Sequence, residues 1–285
     1  MSISRIVIAG LLLVTAGCAS APDDVDDQNT PEVSEEVRAL HLPFDEYELS
    51  RVDRQTIAYA EDILTRACMR GEGMDWEMLP PLSHDPDPLI RRRYGVIESE
   101  VAARYGYHRQ PLPPELSARE VVWQKRNDLP LAERHMVYGS DGEGGCRAEA
   151  RGQLRKGIPG IGENRLYDYT IEVFRASQNA PEVVEVFRAW SACMESEGFD
   201  YADPLRTLED PAWQSEHPSA QEVAVAEADV RCKRNTDLVA VWSGTEVRIQ
   251  RDTIRSHPND FDGFARAKSL QLDAARQVID HGSIR

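Results

Sequence analysis

The sequence lacks any apolar run long enough to cross a membrane. The longest, Ile6 to Val14, is too short to span a bilayer by itself, and no later stretch is apolar enough. Alternation of apolar and polar residues over five or more positions is also missing, which argues against a sheet and for helices packed on helices. There is no H-E-x-x-H, no G-x-S-x-G and no P-loop, so zinc-peptidase, serine-hydrolase and nucleotide-binding readings have no anchor. Basic residues are scarce beside acidic ones, 33 Lys and Arg against 49 Asp and Glu, for a net charge of −16. That balance argues against nonspecific nucleic-acid binding and against a basic face lying on anionic lipid. A solvated acidic surface that keeps an extracellular chain in solution accounts for it. With 41% hydrophobic residues, the 285-residue chain can still bury a real core.

Residues 1–17 read as a lipoprotein signal peptide, with Arg5 as its positive n-region and Ile6 to Val14 as its h-region. The run ends in Thr15-Ala16-Gly17-Cys18, which resembles the lipobox of bacterial lipoproteins, although Thr15 stands where such segments usually carry leucine. The resemblance implies a lipid on Cys18 and export to the outer face of the cell membrane. An ordinary secretory signal cut near Ala21 is the alternative. Loss of Arg5 with this segment takes the net charge from −16 to −17. Residues 18–43 carry Asp23, Asp24, Asp26, Asp27, Glu32, Glu35 and Glu36 among Ser, Pro, Gln and Asn. They read as a flexible, disordered tether, with a short helix conceivable around Glu32 to Leu40.

Setting Cys18 aside leaves Cys68, Cys146, Cys193 and Cys232, an even number in an exported chain, and two disulfides are the natural reading. Four cysteines allow three pairings. Zinc is the rival, but no C-x2-C pair and no suitably spaced histidine supports it.

An internal repeat carries the most information. Ala67-Cys68-Met69-Arg70-Gly71-Glu72-Gly73-Met74-Asp75-Trp76 recurs as Ala192-Cys193-Met194-Glu195-Ser196-Glu197-Gly198-Phe199-Asp200-Tyr201. The spacing reads as a helix that buries its cysteine, stops at a glycine of positive φ and tucks an aromatic residue back. A duplicated ligand site built on Asp75 and Asp200, or on Trp76 and Tyr201, is the functional alternative. If each copy bonds to the next cysteine in its own half, the pairs are Cys68 with Cys146 and Cys193 with Cys232. The chain then divides into a first helical half, 44–156, and a second, 163–285, joined at Gly157-Ile158-Pro159-Gly160-Ile161-Gly162. That glycine-rich joint has no preceding strand and matches no phosphate-loop spacing.

Ser50 with Asp53 marks a helix start, and the helix runs to Arg70 with Ile57, Ala60, Leu64, Ala67 and Cys68 on its apolar stripe. Further helices are expected over Tyr94–Tyr105 and over Ser117–Tyr138, the latter interrupted near Pro130. Others should start at Pro181, with Val183, Val184, Phe187, Trp190, Cys193 and Met194 on one face, and at about Ala220, running to His257-Pro258. Val225, Ala228, Cys232, Val239, Trp242 and Ile249 form the stripe of that long helix, and a last helix spans Phe261 to Ile279. The fold class is all-α: two related halves stapled by two disulfides.

Leu42-Pro43-Phe44-Asp45-Glu46-Tyr47, the paired Cys-Met-x3-Gly segments, Arg104-Tyr105-Gly106-Tyr107, Tyr138-Gly139 to Gly145-Cys146, and Ala226 to Cys232 together resemble uncharacterised secreted lipoproteins of actinobacteria, over nearly the whole chain after residue 17. The resemblance implies export and disulfides and carries no activity or catalytic residue.

Chemistry is thin. His84-Asp85-Pro86-Asp87 and Asn259-Asp260-Phe261-Asp262 gather oxygen ligands without the spacing of a calcium loop, and turn or cap roles explain them. His135 beside Glu133 has no nucleophile to serve. No cofactor and no catalytic residue is assigned. The expected function is a noncatalytic interaction or ligand-binding module of the cell envelope, partnered by the membrane through its lipid and by an envelope protein or extracellular ligand. The alternative is an envelope hydrolase that attacks wall polymer or peptide with carboxylates hidden among the 49 acids. A deep pocket with convergent carboxylates would favour the hydrolase, and a shallow groove the module.

Overall fold

The computed structural model describes residues 30–79, 81–140, 144–160 and 164–282. Among the described residues there are eleven α-helices, three short 3-10 turns and no strand. The helices are α1 (Glu35–Arg38), α2 (Arg51–Gly71), α3 (Ser99–Tyr105), α4 (Pro114–Asn127), α5 (Leu131–Tyr138), α6 (Gly145–Leu154), α7 (Arg165–Gln178), α8 (Pro181–Ser196), α9 (Ala220–Asn235), α10 (Leu238–Ser256) and α11 (Pro258–Gly282). The signal segment 1–17 and Cys18 lie outside the described residues.

Of the tether expected over 18–43, residues 30–43 are described, and they are packed. Ser34 caps α1 by accepting from the Val37 amide, and Val33, Val37 and Leu42 are buried. The buried Arg91 guanidinium donates to the Pro31 carbonyl at 3.0 Å. Acidic composition hid the i, i+4 pair Val33 and Val37, which is enough to dock the segment on the largest core.

Helix α2 begins as read, with a reciprocal capping box: the Asp53 amide donates to Ser50 Oγ at 3.0 Å and the Ser50 amide to Asp53 Oδ2 at 2.9 Å. Its deepest face shares only Ala60 with the apolar stripe. Ala60, Glu61, Asp62, Thr65 and Met69 are buried, whereas Ala67 is exposed and Cys68 half-buried. The buried acids are matched from other helices: Arg126 of α4 donates to Asp62 at 2.8 Å, and Arg147 and Arg151 of α6 bond Glu61. Ile57 and Leu64 turn instead toward Ala275, Ala274 and Val278 of α11.

Tyr94 to Glu98, expected to be helical, run as irregular backbone that drives Tyr94, Val96 and Ile97 into the core, and α3 starts only at Ser99. Gly95 at φ +80 breaks the helix there. The single helix expected from Ala220 to His257 is two helices, α9 and α10, separated at Asp237, a non-glycine residue at φ 53. Aspartate is among the few side chains that visit this region at modest cost, so a continuous stripe concealed the bend. Helix α7 and the earlier start of α11 at Pro258 complete the helical set.

The halves interleave. Helix α11 packs along α2, and α3 packs on α9. The largest core joins Tyr94, Val101 and Ala102 to Val183, Trp190, Met194, Val225 and Trp242. A smaller cluster of Met69, Trp76, Val137 and Cys146 lies under α2, α5 and α6.

Candidate functional site

The repeat folds twice into the same device. Cys68 is bonded to Cys146 and Cys193 to Cys232, each pair with Cα atoms 5.6 Å apart. After each first cysteine the chain closes a Schellman stop. The Met74 amide donates to the Met69 carbonyl at 3.0 Å and Gly73 to Arg70 at 3.1 Å; Phe199 donates to Met194 at 2.9 Å and Gly198 to Glu195 at 3.0 Å. Gly73 stands at φ 77 and Gly198 at φ 91. The residue each stop anchors is the methionine beside the cysteine, since Met69 and Met194 are both fully buried. The aromatic latches are bonded inward: Trp76 Nε1 donates to Asp62 Oδ1 at 2.9 Å, and the Tyr201 hydroxyl to Asp210 Oδ2 at 2.7 Å. Asp75 and Asp200 are exposed, and among the described residues Asp75 reaches only Arg70, at 3.7 Å. The shared cysteine, methionine and glycine are therefore architecture, and the shared aspartates take no part in it. No Cβ contact would obstruct a side chain at Gly73 or Gly198, so a substitution there is opposed by backbone conformation alone. Changing either to valine is expected to destabilise by about 2–3 kcal/mol in denaturant titrations, and changing either to asparagine by clearly less.

Sequence reasoning missed the buried charges. Asp229 is fully buried and accepts from Trp190 Nε1 at 3.0 Å, Tyr107 Oη at 3.2 Å and Lys233 Nζ at 2.9 Å. Lys233 also donates to the Val96 carbonyl at 2.9 Å. Burial pushes the Asp229 carboxyl up, against the pull of the Lys233 ammonium, and raises the Tyr107 hydroxyl as well. Glu246, also fully buried, takes both Nε and Nη2 of Arg93, the Tyr94 hydroxyl at 2.9 Å and Gln250 Nε2 at 3.0 Å. Near the first disulfide, the Arg126 guanidinium lies 4.3 Å over the Trp76 ring and 4.8 Å over Trp123, adding cation–π contacts to its bond with Asp62. The one sequence signal for these networks is charge at helical spacing on an apolar stripe, as in Asp229 and Lys233 flanking Cys232.

His108 clasps the loop before α9. Its Nδ1 lies 2.7 Å from Glu222 Oε1 and its Nε2 2.7 Å from the Ser215 carbonyl. Both ring nitrogens thus face acceptors, which only the imidazolium can satisfy, and the Ser215 carbonyl, followed by Glu222, raises the His108 pKa above 6.5. A histidine whose folded pKa is raised stabilises fully below its unfolded value and loses that contribution as pH climbs through the folded value. The melting temperature of the wild type should therefore fall relative to His108→Leu as pH rises above 6.5, and parallel profiles would refute the clasp.

His135 is exposed. Asp85 Oδ1 accepts from Arg51 Nε at 2.9 Å and from the Asp87 amide at 3.1 Å, closing a turn. Asp260 Oδ2 takes Arg165 and the Tyr169 hydroxyl, both at 2.7 Å, and these donors hold its carboxyl below the usual range. Among the described residues no group of three or more His, Cys, Asp and Glu is placed to hold a metal ion.

Among the described residues two of the larger open grooves stand out. One, of about 680 Å³, runs between α2, α6 and α11 over Ile63, Leu64, Leu154, Ala274 and Val278, with Arg66, Arg70, Gln153, Gln277 and His281 at its edges. No acid lines it. The other, of about 620 Å³, lies between α7 and α11 beside Tyr167 and Lys268, whose ammonium is spent on the carbonyls of Asp45, Glu46 and Glu48. Of two smaller crevices of about 350 Å³, one carries Asp203 and Glu209, and the other, near α1, carries Asp45, Glu48 and Asp85. Each of the last three already accepts a structural hydrogen bond: Asp45 from the Leu42 amide at 2.8 Å, Glu48 from Thr170 Oγ1 at 2.9 Å, and Asp85 from Arg51.

Fold and grooves define a class: a helical, twice disulfide-stapled module with open helix-walled grooves. No family model, curated protein or solved structure matches the chain.

Proposed function

We propose that the chain is an extracytoplasmic lipoprotein of the cell envelope, held to the membrane by a lipid on Cys18, that acts as a noncatalytic binding module through its α2–α6–α11 groove. The observation that carries the binding role is the groove itself: an apolar floor on three helices with, among the described residues, no carboxylate in its lining. Export is supported by the two disulfides, which persist in oxidising compartments, and by the resemblance of residues 1–18 to a lipoprotein signal. The resemblance to secreted actinobacterial lipoproteins points the same way. The net charge of −16 disfavours nucleic acid as a partner, leaving an envelope protein or an extracellular ligand.

Changing Cys18 to serine is expected to move the protein from the membrane fraction into the medium, and membrane attachment that survived the change would contradict the anchor. Incubation of the purified chain with wall polymer fragments and with peptides tests the binding reading against hydrolysis. No turnover is expected. Hydrolysis abolished by Glu48→Gln or Asp85→Asn would overturn the reading in favour of the acid-lined crevice.

A further inference from the structure

We propose that the groove between α2, α6 and α11 takes a single-chain amphipathic anion, a long-chain fatty carboxylate whose tail lies on the apolar floor and whose head meets Arg66, Arg70 and His281. The inference rests on the reading of this groove as the ligand site.

The walls decide the tail. Ile63, Leu64, Leu154, Ala274 and Val278 come from three helices whose interior amides and carbonyls are consumed within the helices. Such a surface offers no ladder of donors and acceptors to an extended peptide, which needs one, whereas a chain of methylenes asks for nothing but burial.

Charge decides the head. The chain carries 49 acids against 33 bases, yet among the described residues the lining of this groove contains no acid and presents two arginines and a histidine. Arg66 has no ion-pair partner among the described residues, and Arg70 has only the loose, exposed contact to Asp75 at 3.7 Å. Guanidinium groups left uncommitted at the rim of an apolar trough suit a carboxylate at the end of an apolar tail.

The test uses the full chain carrying Cys18→Ser and two kinds of probe. Nile red, uncharged and apolar, reads the groove alone: it should bind, and Ala67→Trp, which fills the trough from an exposed position on α2, should abolish the signal. Palmitate should displace Nile red, with an apparent affinity that weakens by up to about five-fold for each of Arg66→Gln and Arg70→Gln and falls with rising salt. Hexadecyltrimethylammonium, with the same tail and the opposite charge, and hexanoate, with the same head and too short a tail, should compete poorly. If the cationic amphiphile competes as well as palmitate and the arginine changes have no effect, the fatty-carboxylate assignment is overturned while the groove stands. Displacement by an acidic amphipathic helix in place of palmitate overturns it too. If Nile red binding is absent or indifferent to Ala67→Trp, the groove reading itself fails.

Discussion

Changing Lys233 to methionine is expected to destabilise the fold by about 3–5 kcal/mol, a large share of the roughly 5–15 kcal/mol that a domain of ordinary stability has. Lys233 and Asp229 sit one turn apart on α9 and are both almost completely buried, 2.9 Å apart. Without the ammonium, Asp229 keeps its bonds from Trp190 and Tyr107 but loses the charge that favours its ionised form, and the Val96 carbonyl loses its donor. The carboxyl, already pushed up by burial, then takes a proton more readily. An acid whose folded pKa is raised above its unfolded value lowers stability as pH rises, so the deficit of Lys233→Met should shrink as pH falls. The double change Asp229→Asn with Lys233→Met should recover much of the loss, because the amide oxygen can still accept from one of the two aromatic donors and no charge is stranded. Urea titrations of the single and double variants at two pH values measure all of this. A single variant as stable as the wild type would show that the pair does not hold the core together.

The second large effect is expected from the disulfides. Replacing Cys193 and Cys232 by alanine should cost about 4 kcal/mol in the chain-entropy account, for a closed separation of 39 residues. The Cys68–Cys146 bridge closes 78 residues, but doubling a loop adds only about 0.6 kcal/mol, so the two pairs should differ little in that respect. Their surroundings separate them. Cys232 lies in the largest core with Trp190, Val230 and Trp242, whereas Cys146 closes the smaller cluster around Met69, Trp76 and Val137. Removing the second bridge should therefore lower the cooperative unfolding of the whole molecule. Removing the first should loosen α5 and α6 locally, which hydrogen exchange on those helices would reveal. Peptide mapping that found free thiols, or a link between Cys68 and Cys193, would contradict the pairing.

Much of the helical frame was legible because its signals are local. Ser50 with Asp53, Pro181, and Gly73 with Gly198 set starts and stops through hydrogen bonds that close within one turn. The repeat made the disulfide pairing legible, since two copies of one device leave each half its own second cysteine. What stayed hidden depends on partners distant in sequence. Glu61 and Asp62 look like solvent-facing acids until Arg126, Arg147 and Arg151 are placed over them. Tyr94 to Ile97 pass as helix until Glu246 takes the Tyr94 hydroxyl and the core takes the rest. The groove has no motif at all. It arises where α11, near the end of the described chain, lies along α2 near the beginning, and neither Ile63 nor Val278 announces the other.

On this account the repeated Cys-Met segments are the frame and the α2–α6–α11 trough is the proposed ligand site. A Nile red titration on folded Asp75→Asn, Asp200→Asn and Ala67→Trp proteins tests that division most directly. It should give wild-type binding for both aspartate variants and none for Ala67→Trp, whereas a folded Asp75→Asn or Asp200→Asn protein that lost binding, beside an unaffected Ala67→Trp, would contradict it.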